Sequence, residues 1–506
     1  MKAFLMYRDR DFALDGPMPP NAETLTQDLE LDRLFAAMAA GDKFLRDVAQ
    51  KALLASLHEP DAILYRQHVL ADCLEQPGIV REVYAIAVEA IEREKRVWSF
   101  GNDSATLLHR SVQVLEIFVG LFKRLRRIAD EHGAAFRSEG LTRFFKMISE
   151  ELDDEYLRAV EDHLQRLKFR DGALVSAELG EGNKGTRYVL RQPRDTRRNW
   201  KKVLFGDDAS YVYQVADRDQ AGFRALAELR DRGVSLAARA LAQSTDHILS
   251  FFSMLRAELA FYAGCLNLRE SLARKDEPIC FPEPLPADER VLASRGLYDI
   301  CLSLSIEPSV VGNDVGDGHQ SLVMITGANR GGKSTFLRSL GLAQLMMQSG
   351  MFVAAESFRT NMCDRIFTHF RREEDASMRS GKLDEELQRM DFIVDHLTPN
   401  SLVLLNESFA ATNEREGSEI ARQIVRALLE SNIKVCYVTH MFDLAHGFHL
   451  ESGDTALFLR AERTPDGRRT YRVVEGEPLP TSHGEDLYRR VFGTAPGTIT
   501  TECGNG

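Results

Sequence analysis

Excess positive charge, paired cysteines and long apolar runs are what this 506-residue sequence lacks. Its net charge is −12, so the chain is not coated in positive charge, and nucleic acid stays open only through a local basic patch. The seven cysteines, Cys73, Cys265, Cys280, Cys301, Cys363, Cys436 and Cys503, are scattered, with no pair at C-x-x-C spacing. That spacing argues against a zinc site or a disulfide framework and fits a reducing compartment. No apolar run reaches the roughly 18 residues of a membrane span. The longest candidate, Leu340 to Ala355, is broken by Gln344, Gln348 and Ser349. The opening residues MKAFLMYRDRDF carry charge where a signal peptide needs an apolar core. The expectation is a cytoplasmic protein that does not engage a membrane. Apolar residues make up 44% and charged residues 28%, an ordinary globular composition whose length predicts roughly two to four domains.

Residues 1–300 read as mainly helical. Between Leu107 and Ile128, the residues Leu108, Val112, Leu115, Phe118, Phe122 and Leu125 recur at steps of three and four, which places them on one helix face. Leu29 to Leu57, Leu152 to Leu167 and Ala221 to Leu272 follow the same helical steps without proline. Residues 170–215 break the pattern with Gly172, Gly180, Gly182, Gly185 and Pro193 around the short runs ALVSAEL and TRYVLRQ, predicting a small β insertion. The Pro-rich, acidic stretch DEPICFPEPLPAD marks a boundary near residue 300. From 301 to 506, apolar strands (SLVMIT, FVAA, RIFTHF, SLVLLNE, KVCYVTH) alternate with helices at 333–348, 383–396 and 414–429. This alternation predicts an α/β sheet covered on both faces. Pro465-Asp466-Gly467 predicts a closing hairpin.

The stretch Gly327-Ala-Asn-Arg-Gly-Gly-Lys333-Ser334-Thr335 fits G-x-x-x-x-G-K-[ST] between a predicted strand and a predicted helix. Its glycines let backbone N–H groups turn toward a phosphate chain, Lys333 can reach the β- and γ-phosphates, and Ser334 can ligate Mg²⁺. Gly327, Asn329, Gly331, Gly332, Lys333, Ser334 and Thr335 are the nucleotide-binding candidates. An acid should end a later apolar strand, and Leu402-Val-Leu-Leu-Asn406-Glu407 supplies it. Glu407 is the candidate general base. Asn406 stands where an Asp is usual, yet its carbonyl can still bind Mg²⁺ or its water. His440 ends the next strand, where it can sense the γ-phosphate or hold the attacking water.

The ordered set GANRGGKST, FVAAE, DRIFTHF, LVLLNES, REGSEIA and VTHMFDL resembles the ATPase domain of the MutS mismatch-repair family from about residue 313 to 448. GDKFLRDVAQKALLASLHEPDAILYRQHVLADC resembles the start of its core and lever region. The resemblance implies a P-loop ATPase domain of ABC/MutS type behind a mainly helical core and lever domain. It also implies Mg²⁺-ATP as substrate and a homodimer whose composite sites are completed by a partner segment. Ser380 and Gly381 fall where that trans contact lies, Glu386 matches an acid there, and Asn329 matches in the loop. The sequence departs from the family at Ala328 and Arg330, at Asn406, and at Phe409 to Asn413. Val310 and Val311 stand where an aromatic would stack on adenine. The expectation is a divergent member that begins on the core helices without the N-terminal mismatch-recognition domain.

Between Lys184 and Lys202, eight basic residues face only Asp195, with Tyr188 and Trp200 interleaved. Arg187, Arg194, Arg197, Arg198, Lys201 and Lys202 are the DNA-contact candidates, since cations neutralise phosphates and aromatics stack on bases. A solvated hairpin, or one pairing with its own dimer, is the alternative. Lys123, Arg124, Arg126 and Arg127 read as the wet face of a helix. The reading is a dimeric ATPase that binds DNA and changes conformation with nucleotide. The alternatives are an ATP-dependent protein-binding module and a nucleotide-locked scaffold with little turnover.

Overall fold

The structure is a computed structural model that describes residues 1–98, 103–169, 172–183, 185–191, 214–215, 218–372, 381–464 and 468–479. In chain order come helices α1 (Ala22–Asp28), α2 (Leu31–Ala39), α3 (Lys43–Leu54), α4 (Pro60–Glu75), α5 (Pro77–Arg96), α6 (Ser104–His132), α7 (Glu139–Glu151) and α8 (Asp154–Leu167). Strands β1 (Leu174–Leu179) and β2 (Gly185–Arg191) and helix α9 (Gln220–Ala273) follow. Next are β3 (Glu283–Leu285), β4 (Val291–Leu297), α10 (Ile300–Ser303), β5 (Asn313–His319), β6 (Leu322–Thr326), α11 (Lys333–Gln348), β7 (Ser357–Asn361) and β8 (Ile366–Phe370). The last are α12 (Lys382–His396), β9 (Leu402–Asn406), α13 (Glu414–Glu430), β10 (Lys434–Val438), α14 (Phe442–Glu451), β11 (Ala456–Arg463) and β12 (Arg469–Glu475).

The chain divides into two compact units, residues 1–5, 9–12 and 75–259, and residues 6–8, 13–74 and 260–506. Residues 13–74 thus group with residues 260–506. The early helices join the later α/β region because their polar groups pair with it. The Leu57 N–H donates to the Gln348 carbonyl at 2.7 Å, and the Asn21 amide donates to the Ile366 carbonyl at 2.6 Å. The stretch 29–57 is also two helices, turned at Ala40 and Gly41, which both have left-handed backbones.

In the first unit the six apolar residues read onto one face of α6 are all buried. Phe122 stacks on Phe252 of α9 with ring centroids 5.2 Å apart. Asp103 caps α6 by accepting from the Thr106 N–H, the arrangement expected of an N-cap Asp. The hairpin β1–β2 is antiparallel, as the insertion predicts. Two helical segments, Ser104–Ala135 and Gln220–Ala273, are long and apolar enough to cross a membrane, but 50% and 67% of their apolar windows are buried inside the protein. Such burial is what core helices show.

The second unit holds a six-stranded sheet ordered β12-β11-β6-β10-β9-β8, parallel except for β12. Val403, Leu405, Val435 and Tyr437 pack one face against Met390 and Ile393 of α12, Val425 and Leu428 of α13, and Phe448 of α14. On α11, an added Cβ at Gly341 would come within 2.6 Å of Leu404, so the sheet is covered closely there as well. This is the doubly covered α/β sheet of the sequence reading. A second sheet, β3-β7-β4-β5, was not foreseen. It absorbs the Pro-rich stretch read as a boundary. FVAA is no strand: only Val353 pairs, in an isolated bridge with Cys280, while the neighbouring SFRTN forms β7.

Candidate nucleotide site

The site lies at the C-terminal ends of β6, β10 and β9, where open α/β sheets place ligands. Register fixes the geometry. Val438 lies opposite both Ile325 and Asn406, so the loop after β6, Thr439–His440 and Asn406–Glu407 leave the sheet side by side. The Thr439 N–H donates to the Ile325 carbonyl at 3.1 Å, and the Glu407 N–H to the Val438 carbonyl at 2.8 Å.

Gly327 (φ 109°) and Gly332 (φ 94°) hold backbones that L side chains rarely adopt. The hairpin β11–β12 closes on the same loop. A Cβ on Gly331 would lie 2.7 Å from the Ala461 Cβ, and one on Gly332 3.0 Å from the Tyr471 carbonyl oxygen. Asn329 and Arg330 are exposed on the loop, and α11 begins directly after it at Lys333, its N-terminal N–H groups facing the site. Lys333 is only 4% exposed, and its Nζ donates to the carbonyls of Gly327 (2.8 Å) and Ala328 (3.1 Å). Burial pulls its ammonium below the usual lysine value, and the Glu407 charge pulls the other way.

Ser334 donates its hydroxyl to Asn406 Oδ1 at 2.9 Å. The two residues chosen as Mg²⁺ ligands thus meet with two oxygens at one place. An all-oxygen pair suits Mg²⁺, which is bound through few protein groups plus substrate phosphates. The pair carries no formal charge, so phosphate oxygens must supply the neutralising charge. Glu407 stands one residue on, with a left-handed backbone (φ 52°) and a loose 3.8 Å ion pair to Arg371. His440 is exposed beside it. Asn313 ties β5 to the hairpin by accepting from the Val473 N–H at 2.7 Å.

Beneath Glu407 lies a buried polar cluster that the sequence did not reveal. Ser408 and His369 are both fully buried, and Glu386 is 2% exposed. The Ser408 hydroxyl lies 2.6 Å from the His369 carbonyl oxygen and 2.8 Å from His369 Nδ1. His369 Nε2 donates to the Glu386 carbonyl at 2.9 Å. Glu386 Oε2 accepts from the Phe409 N–H at 2.8 Å, and the Tyr437 hydroxyl donates to the Ser408 carbonyl at 2.6 Å. Glu386, aligned by resemblance with an acid near the trans contact, therefore points into the interior. Glu407 and Phe409 (φ 65°) both hold left-handed backbones, conformations that cost roughly 1–3 kcal/mol each for non-glycine residues and need such over-determination. The only signal in the sequence was DRIFTHF itself, whose histidine lies 39 residues from its serine.

Burial, helped by the Arg389 charge, holds the His369 pKa at about 4 against an ordinary 6.5. The unfolded chain takes up this proton below pH 6.5 while the folded protein resists it down to about pH 4. The linked stability is therefore lost as pH falls through that window. Between pH 6.5 and 5 the loss from this residue is on the order of 2 kcal/mol. Urea unfolding at pH 7, 6 and 5 checks it. His369→Gln, which cannot titrate, should show a shallower pH slope than the native protein.

Ser380 and the DNA-contact candidates Arg194, Arg197, Arg198, Lys201 and Lys202 lie outside the described residues. Arg187 is placed on β2, exposed and 3.3 Å from Glu178 of β1. Arg124, Lys123 and Arg126 pair with Glu89, Glu161 and Asp130, and Arg127 lies 3.9 Å from Glu82, as a solvated helix face would have it.

Comparison with known proteins matches residues 58–275 to the MutS2 N-terminal domain and residues 323–489 to MutS domain V. The chain is 32% identical over 250 residues to Endonuclease MutS2 of Lacticaseibacillus casei (strain BL23), covering 47% of this chain and 30% of that protein. It is 31% identical over 222 residues to DNA mismatch repair protein MutS of Thermotoga sp. (strain RQ2), covering 42% of this chain and 28% of that one. The chain thus spans under a third of the length of these relatives. The domain V match takes in the phosphate loop, Asn406–Glu407 and His440.

Proposed function

The chain belongs to the MutS family, and from that premise we propose that it binds and hydrolyses Mg²⁺-ATP and, as a dimer, couples the nucleotide to DNA. The observation that carries the ATPase reading is the meeting of four elements at the ends of three adjacent strands. These are the glycine loop, the Ser334–Asn406 pair, Glu407 and His440. Loop N–H groups and the start of α11 receive the phosphates, and Lys333 turns from the loop carbonyls to phosphate oxygens. Ser334 and Asn406 would hold the Mg²⁺, which when bound would supply charge to neutralise the phosphates. Glu407 takes the proton of the attacking water, and His440 holds that water or the γ-phosphate.

The relatives named above are by name an endonuclease and a mismatch-repair protein, and DNA as partner of this chain is proposed on that likeness and on the basic insertion. The replacement of a carboxylate by Asn406 favours slow turnover. Lys333→Ala tests the central reading. Titration with a fluorescent ATP analogue should show affinity reduced by about 100-fold or more, the loss of a charge-assisted phosphate contact in a buried site. Unchanged affinity overturns the assignment of this loop as the nucleotide site.

A further inference from the structure

Glu407 is held from behind rather than from the side. Among the described residues it has one ion pair, the long one to Arg371, while the backbone corner that carries it is gripped on three sides. The Glu407 N–H is bonded to β10, the Ser408 carbonyl receives the Tyr437 hydroxyl, and the Phe409 N–H is capped by Glu386 of α12. Ser408, between the two left-handed residues, reaches His369 at the end of β8, and His369 reaches the α12 backbone at Glu386. A carbonyl can only accept, so Nε2 carries the ring proton toward Glu386, and the Ser408 hydroxyl donates to the His369 carbonyl with Nδ1 2.8 Å away. The corner, β8 and α12 are thereby joined by a closed ring of hydrogen bonds. Glu386 spends one carboxylate oxygen on this grip, and its other oxygen is buried with no hydrogen-bond partner among the described residues. A side chain kept under those conditions is placed for the cap it makes, not for its charge.

We propose that Ser408, His369 and Glu386 are positioning residues for ATP hydrolysis: they lock the 407–409 corner to α12, so that they set the aim of the Glu407 carboxylate and leave nucleotide binding alone. The inference rests on Glu407 being the general base. None of the three contacts the glycine loop or the Ser334–Asn406 pair in the hydrogen bonds among the described residues, so the binding of the phosphates does not run through them.

The experiment measures single-turnover hydrolysis and ATP affinity separately for Ser408→Ala, Glu386→Ala, Glu386→Gln and Glu407→Ala, with urea midpoints recorded for each. Ser408→Ala and Glu386→Ala should lower the hydrolysis rate roughly 10- to 100-fold, as small misplacement of a catalytic group does, with ATP affinity within about threefold of the native protein. Glu386→Gln keeps an oxygen for the Phe409 N–H and should recover to within about threefold of the native rate. In the Glu407→Ala background, Ser408→Ala should cost nothing further, because residues acting as one unit are not additive. Loss of affinity in step with rate, failure of Glu386→Gln to recover, or full additivity with Glu407→Ala overturns the proposal. If Glu407→Ala alone keeps native turnover, the general-base reading fails instead. Should Ser408→Ala not fold, His369→Gln, which keeps a donor for the Glu386 carbonyl, stands in its place and must show the same split between rate and affinity.

Discussion

Glu407→Ala should stop turnover and leave ATP bound. The carboxylate stands one residue beyond the Ser334–Asn406 pair, close enough to Lys333 for its charge to oppose the lysine's loss of basicity in the buried loop. No phosphate-binding group is removed by the change, so affinity should hold. General-base assistance is worth about 100- to 10,000-fold, and the rate of phosphate release at saturating ATP should fall by that much. Removing the carboxylate also releases Arg371, which is already 42% exposed and only loosely paired, so no buried charge is stranded. Equal turnover in the native protein and Glu407→Ala would show that another group activates the water.

Changing Arg194, Arg197, Arg198 and Lys201 together to Ala should flatten the salt dependence of DNA binding by about 3–4 log units per log unit of salt. The 184–202 stretch carries +7, eight basic residues against Asp195, in a chain of net −12. If each of the four cations neutralises one phosphate, each contributes a slope of about 0.9 through released counterions. The loss should be alike for all duplex sequences, since phosphate contacts carry no sequence information. ATP affinity should stay as it was, because the stretch is remote in sequence from the loop at 327–335. A quadruple variant with native affinity and native slope would assign the patch to solvent or to a subunit contact. Arg187 is left out of the set because Glu178 already faces it on the hairpin.

The α/β half of the fold was legible because its elements announce themselves locally. The helix read at 333–348 is α11 to the residue, and the five-residue apolar strands LVLLN and KVCYV are β9 and β10. Glycines with φ above 90° at 327 and 332 are what the phosphate-loop pattern implies. What escaped was non-local. The sheet β3-β7-β4-β5 pairs residues some 70 positions apart, and its first strand contains Pro284, a residue that argues against strands. FVAA reads as a strand from its apolarity, yet that apolarity serves burial in an irregular segment with a single bridge. Likewise Gln344 and Gln348, taken as interruptions of an apolar run, are buried because their amides meet carbonyls of Asn361, Leu57 and Cys363. The catalytic candidates could be named from pattern alone. The Ser408–His369–Glu386 ring could not, since each member is an ordinary polar residue until the strands align.

The second unit is discontinuous in the chain: residues 13–74 belong with residues 260–506, and residues 75–259 intervene. During synthesis the ribosome must therefore deliver about 185 residues before the first helices meet their partners in residues 260–506. At about 5–20 residues per second that is a delay of about 10–40 s. Throughout it, Leu31, Leu34, Phe35 and Leu53, all fully buried in the finished protein, can settle only on the neighbouring early helices and not on the α/β region of their unit. The nascent chain thus offers a timed apolar target, one that holdase chaperones can occupy and that a rearranged gene, with the 13–74 segment moved directly ahead of 260, would abolish.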